Sequence, residues 1–231
     1  VMRIATPCAQ AAATATSEIP ILITAVTDPV EAGVAESMER PNTNVTGTTD
    51  MNPIKEQLEL ILEIDPDVKN IGVIYNSGEV NSVVQVDVAK SAAAELGVNI
   101  VEAVATNSSE VSTAAESLVG KADAIYVPTD NTVVTALRSV VRVAEDHDLP
   151  LVSGDVESVV NGAVATLGIT YHGLGYQTGL MAAEVLRGAD PATMPILGST
   201  EFTYAINTTA AANMGLELPQ GLIDRADEVY E

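Results

Sequence analysis

The chain has 231 residues, 47% of them hydrophobic, and carries 32 acidic against 10 basic residues for a formal net charge of −22. This length and apolar content support one large domain or two smaller ones and argue against general disorder. A polyanion repels phosphate backbones, which argues against a nucleic-acid partner, and a single cysteine, Cys8, precludes an intrachain disulfide.

VMRIA (1–5) reads as a strand, followed by a helix over PCAQAAATAT (7–16) with Thr6 as its N-cap and Pro7 at its first position. IPILITAV (19–26) is a second strand, and RPNTNVTGTTDMNP (40–53) a polar, turn-rich break. Then come a helix over 52–64, a strand NIGVIYN (70–76), a helix over 81–97 closing at Gly97, and a strand NIVEAVA (99–105). A helix over 109–121, a strand ADAIYVP (122–128), a helix over 132–148 and strands LPLVSG (149–154) and AVATLGIT (163–170) come next. The last elements are a helix over 173–188, closing at Gly188, and a strand FTYAIN (202–207). GITYHGLG (168–175) and ADPATMPILGSTE (189–201) are two further breaks. No apolar run approaches the length of a membrane span, and VMRIATPCAQ lacks the basic-then-apolar pattern of an export signal.

The strands are short, apolar and often β-branched, as strands buried on both faces are. Their alternation with helices predicts an α/β fold with parallel sheets, and the three breaks predict crossings between two lobes. Only two strands precede the first break, so the first lobe is expected to be incomplete, with about two further βα units ahead of Val1.

In open parallel sheets ligands sit beyond the carboxyl ends of the strands. Those positions hold Thr6-Pro7-Cys8, Thr27-Asp28, Asn76 with Glu79, Asn81 and Ser82, Thr129-Asp130-Asn131, Asp155, and Tyr171-His172. Such residues serve either as caps and turns or as a cleft in which helix N-termini meet a carboxylate. In the second case Asp28, Asp130 and Asp155 can hold an ammonium group, which describes a site for an amino acid. Tyr75, Tyr126 and Tyr171 can stack on an aromatic ligand or pack in the sheet.

Enzyme chemistry finds less support. His147 falls at a helix end, His172 has no evident serine or cysteine partner, and no P-loop or nucleophile elbow occurs. HGLGYQTG (172–179) spaces its glycines one residue longer than a dinucleotide fingerprint; tight packing between lobes is the expected reason for Gly173, Gly175 and Gly179.

Taken together, ATPCAQAA, IPILITAVTDPV, NVTGTTD, IGVIYNSGEVNS, ADAIYVPTDNTV, LPLVSGD, GITYHGLGYQTG and GLIDRADEVY resemble the ABC-transporter substrate-binding protein family that includes tryptophan- and tyrosine-binding proteins. The resemblance implies a type I periplasmic-binding-protein fold with two Rossmann-like lobes. It places residues 1–47 plus 171–197 in a partial N-terminal lobe and 48–170 plus 198–231 in a C-terminal lobe. It implies an extracytoplasmic protein, periplasmic or lipid-anchored, that takes a small ligand between the lobes and passes it to a membrane permease. No cofactor, metal or catalytic step is expected. The alternatives are a ligand-sensing domain of a receptor or regulator, and a nucleotide-dependent enzyme. Carried over by position, the implied ligand residues are Thr6, Pro7, Cys8, Thr27, Asp28, Tyr75, Asn76, Glu79, Asn81, Ser82, Thr129, Asp130, Asn131, Asp155 and Tyr171. Asp130 or Asp155 would take the ammonium, and N–H groups around Cys8 with the Ser82 hydroxyl would take the carboxylate. Cys8 stands where the family has a small residue and is expected to pack as one.

Overall fold

The computed structural model describes residues 1–199 and 201–231; Thr200, within the predicted 189–201 break and the 198–231 segment, lies outside the described residues. In chain order the first elements are β1 (Met2–Ile4), α1 (Thr6–Ala15), β2 (Ile21–Thr24), β3 (Val45–Gly47), α2 (Ile54–Ile64), β4 (Asn70–Tyr75), α3 (Val80–Leu96) and β5 (Asn99–Val104). They continue with α4 (Val111–Glu116), β6 (Ala124–Val127), α5 (Asn131–Thr135), α6 (Leu137–Asp146), β7 (Leu151–Ser153), α7 (Val156–Val160) and β8 (Ala165–Gly168). The last are α8 (Tyr171–Leu186), β9 (Thr203–Asn207), α9 (Thr208–Asn213), α10 (Gln220–Asp224) and β10 (Glu228–Tyr230). The chain divides into two compact units. Unit 1 comprises Val1–Asn52, Glu79–Asn81 and Ile169–Phe202; unit 2 comprises Pro53–Gly78, Ser82–Gly168 and Thr203–Glu231. The units thus part after Asn52, Gly168 and Phe202, and also on either side of Glu79–Asn81; the sequence reading puts divisions after 47, 170 and 197.

Among the described residues, unit 1 has a parallel sheet in the order β1-β2-β3. β1 is its exposed outer strand, whereas β2 and β3 are buried. Ile21, Ile23 and Val45 pack with Ala9, Val26, Val34 and Ile196 in one apolar cluster. β3 lies inside the stretch read as a turn-rich break; its three residues, Val-Thr-Gly, are too few to show an alternating pattern. The glycine of that strand is obligatory. Gly47 has φ 144°, and a Cβ there would lie 2.0 Å from the Ile23 carbonyl oxygen of β2. Next to it, the Thr48 and Thr178 hydroxyls meet at 2.8 Å and tie the end of β3 to α8.

Unit 2 has a sheet in the order β10-β9-β8-β7-β6-β4-β5. Its central pairs are parallel, as expected, but β9 runs antiparallel to β8, and β10 follows β9. The all-parallel expectation is corrected there, since β10 and the reversal of β9 leave no trace in the hydrophobic pattern of single strands. α2 forms because Ile54, Leu58 and Ile61 recur at i, i+4 and i+7 and present a buried stripe. Fully buried Gln57 on α2 donates to the Leu167 carbonyl (2.8 Å) and accepts from the Tyr126 hydroxyl (2.6 Å), which joins α2 to β8 and β6. The helix predicted over 132–148 is two helices, broken at Ala136 (φ −112°, ψ 20°) after the β-branched run Thr132–Thr135. α4 is shorter than the predicted 109–121, and α7, α9 and α10, each six residues or fewer, carry too little periodicity to read in advance.

α8 begins at Tyr171, so Gly173, Gly175 and Gly179 lie inside a helix rather than in a phosphate-cradling turn. All three are exposed, and a Cβ on Gly175 or Gly179 would meet nothing within 4 Å. A Cβ on Gly173, by contrast, would lie 3.1 Å from the Thr170 hydroxyl oxygen. The dinucleotide reading loses its loop.

Gly47→Ala is expected to cost about 3 kcal/mol, from overpacking against the Ile23 backbone and a positive φ. The thermal midpoint should fall by roughly 6–12 °C, as read by circular dichroism.

Candidate functional site

The carboxyl ends of β4, β6 and β7 lie side by side in unit 2, and Asp130 ties together the segments beyond β4 and β6. Its Oδ1 accepts from the Val133 N–H and caps α5. Its Oδ2 accepts from the Asn76 N–H and from the Ser82 hydroxyl, both at 2.6 Å. One fully buried carboxyl thus anchors the loop after β4, the first turn of α3 and the start of α5. The Asn76 side chain donates to Thr132 Oγ1 at 2.9 Å and accepts from the Gly78 N–H at 2.8 Å, which folds the 76–78 turn onto α5.

Thr129 is held by Gln85 of α3, a buried residue that sequence reasoning misses. Gln85 Oε1 accepts from the Thr129 N–H (3.1 Å) and hydroxyl (2.9 Å), and its Nε2 donates to the Thr129 carbonyl (3.2 Å). The loop after β7 packs directly against this one: a Cβ on Gly154 would lie 3.0 Å from the Thr129 nitrogen. Asp155 caps α7, accepting from the Ser158 N–H and hydroxyl at 2.8 Å each. Burial pushes its carboxyl above the ordinary value, against those two hydrogen bonds, which favour the charged form.

In unit 1 the strand ends are also polar. Thr27 donates to Asp50 at 3.0 Å, and Thr49 donates to the Thr27 carbonyl at 2.6 Å. Asp50 escapes the sequence reading because β3 reads as a turn; taken as a strand, its polar successors Thr48, Thr49 and Asp50 join the set of strand-end residues. Asp28 is half-buried and accepts from the Val30 and Glu31 N–H groups, an Asx turn. α1 starts one residue earlier than expected: its N-cap is Ala5, in the left-handed region at φ 66°, and Thr6 is its first residue. Thr6 is 2% exposed, and among the described residues its hydroxyl has no hydrogen-bond partner. Cys8 is exposed rather than packed, because α1 buries Thr6, Ala9 and Ala12 and turns position 8 outward. Pro7 is exposed beside it. Asn81 donates to Glu79 at 3.4 Å, and Tyr171 opens α8 with 41% of its surface exposed.

Of the predicted residues, the structure draws together Asn76, Ser82, Thr129, Asp130 and Asn131, with Asp155 on the adjoining loop. Two tyrosines considered for stacking are otherwise engaged. Tyr75 donates to Glu102 at 2.6 Å, and Lys90 together with that hydroxyl holds the Glu102 carboxyl below its usual range. Tyr126 is fully buried against Gln57. A groove of about 670 Å³ in unit 1, lined by residues that include Glu18, Pro20, Asn44 and Asp190, contains none of the predicted ligand residues. Among the described residues no helix is long and apolar enough to cross a membrane, and no cluster of His, Cys, Asp or Glu is arranged to hold a metal ion.

Residues 1–230 match the profile of the family described as ABC transporter substrate binding protein. A tyrosine-binding protein of Clostridioides difficile (strain R20291) is 46% identical over 213 residues, 91% of this chain and 62% of that protein. The chain therefore spans less than two thirds of that relative's length. The crystal structure of an ABC domain in complex with L-Trp from Streptococcus pneumonia superposes with a TM-score of 0.95 at 35% identity, covering 99% of this chain and 78% of that one. A conserved domain protein from Vibrio cholerae gives 0.96 at 39% identity, covering 99% and 77%.

Asp130→Ala leaves three donors without their acceptor and removes a helix cap. It is expected to destabilise unit 2 by about 3 kcal/mol or more, seen as a lowered urea midpoint. For Asp155 the folded-state pKa lies above the ordinary 3.8. Its contribution to stability is therefore full below the unfolded pKa and is lost as pH rises through the raised value. As pH rises above the ordinary carboxylate value, the wild type should lose stability relative to Asp155→Asn, which retains the cap without the titration.

Proposed function

Because the chain belongs to the ABC transporter substrate-binding protein family, we propose that it captures an aromatic amino acid, tyrosine or tryptophan, outside the cytoplasm and delivers it to a membrane permease. The observation that carries this reading is the likeness to the L-Trp-bound domain, which extends over 99% of the chain; the 46% identity to a tyrosine-binding protein supports it. The protein is periplasmic or held at the cell surface by a lipid. It works by binding alone, with no bond made or broken.

A zwitterion loses several kcal/mol of hydration on burial unless both its charges are met. The strand-end loops provide acceptors in Asp28, Asp50 and Asp155, and donors in helix N-termini and hydroxyls. Asp130 and Ser82 serve less as direct ligand contacts than as each other's partners, since the Ser82 hydroxyl donates to the Asp130 carboxyl. Pro7, Cys8 and the unpartnered Thr6 hydroxyl stand at the start of α1, where free N–H groups and the helix dipole favour a carboxylate. Asn76, Glu79, Asn81, Thr129, Asn131, Thr27 and Tyr171 complete the proposed set, with Tyr171, partly exposed, as its aromatic member for stacking. Tyr75 is withdrawn from direct contact by its bond to Glu102. Three or four charge-assisted hydrogen bonds at about 1.5–3 kcal/mol each account for micromolar binding, roughly −8 kcal/mol.

Isothermal titration of the full-length protein with L-tyrosine, L-tryptophan, L-lysine and ribose tests the reading. Saturable binding of an aromatic amino acid at micromolar concentration is expected. Absence of binding by both aromatics at millimolar concentration refutes it. Thr6→Val removes a buried hydroxyl that has no partner among the described residues; it should keep or raise the thermal midpoint while weakening aromatic amino-acid binding about tenfold, the loss of one hydrogen bond.

A further inference from the structure

The loop after β6 has an unusual backbone economy. Pro128 has no N–H, and the Asp130 N–H turns back onto the Pro128 carbonyl at 2.8 Å. Between them, the Thr129 N–H, hydroxyl and carbonyl all pair with the single carboxamide of Gln85. Gln85 is fully buried, as is Ser82 one helical turn earlier. The two face the same loop from one side of α3, Ser82 through the Asp130 carboxyl and Gln85 through Thr129. Residues at i and i+3 share a helix face, so α3 grips the loop at two successive points.

Burying a carboxamide costs several kcal/mol unless its polar atoms are paired. An apolar side chain would fill the same space without that cost, so packing alone does not call for glutamine here. What the amide adds is a fixed backbone conformation at Thr129, next to Asn131, Thr132 and the loop of Gly154.

We propose that Gln85 is a positioning residue for the ligand: it holds the Pro128–Asn131 loop in its binding conformation, so that affinity depends on a side chain committed to the loop backbone. This rests on the reading that the strand-end loops of unit 2 receive an amino acid. A loop left to sample several conformations offers the bound one only part of the time, and the apparent affinity falls by that fraction.

The test compares Gln85→Met, which keeps the volume and loses every polar contact, with Gln85→Glu, which keeps the acceptor for the Thr129 N–H and hydroxyl and loses the donor. Asn207→Ala is the control for destabilisation. Asn207 is a buried cap whose amide donates to the Val159 carbonyl, at the rim of the same sheet where the parallel strands begin. Full-length protein is titrated with L-tryptophan and L-tyrosine, and amide hydrogen exchange is followed at Thr129. Gln85→Met is expected to weaken binding tenfold or more and to speed Thr129 exchange at least tenfold. Gln85→Glu should fall between it and the wild type. Asn207→Ala, at a similar loss of thermal midpoint, should bind within twofold of the wild type.

Unchanged exchange at Thr129 in both Gln85 variants overturns the proposal. So does a loss of affinity no greater than that of Asn207→Ala. If the wild type binds neither amino acid, the functional reading fails, and exchange at Thr129 alone decides whether Gln85 fixes the loop. If Gln85→Met does not fold, Gln85→Glu carries the same comparison.

Discussion

One buried carboxyl organises unit 2. Asp130 receives an N–H from the turn after β4, a hydroxyl from α3 and an N–H from the start of α5. Hydrogen bonds to a buried carboxylate are worth more than those between neutral groups, in a medium that solvates the charge poorly. The single acceptor fixes three segments that share no secondary structure with one another. The precision of the strand-end loops therefore comes from polar pairing beneath them, while the apolar sheet sets only their approximate place.

That division of labour explains which parts of the fold are legible in the sequence. The buried strands β2, β4, β6 and β7 announce themselves as short β-branched runs, and α2 as an apolar stripe. The three breaks point to two units. Short or reversed elements stay hidden: β3 and β10 have three residues each, and nothing in the composition of β9 shows that it runs against β8. A hydrophobic pattern reports which face of a segment is buried but not its direction in the sheet.

The candidate site is legible in residue type and not in role. Counting polar residues after each strand finds Asn76, Ser82, Thr129, Asp130 and Asp155. It cannot tell that Asp130 and Ser82 satisfy each other, or that Asp155 caps its own helix. It passes over Gln57 and Gln85 because a glutamine inside a helical run looks like a solvated residue; both are fully buried and both serve loops or strands far away in the chain. The glycines of α8 mislead in the opposite sense: a glycine-rich stretch suggests a turn, whereas the chain continues there as a helix with Gly173, Gly175 and Gly179 on its exposed side.

The reversal at β9 has a practical consequence for handling the protein. Since β9 and β10 point the other way, their outgoing ends emerge at the rim of the unit 2 sheet where the parallel strands begin. A fluorophore or immobilising linkage attached beyond Tyr230 would hang from the rim remote from Thr129 and Asp155. Sensors built on this scaffold can be anchored there while the opposite rim stays unobstructed.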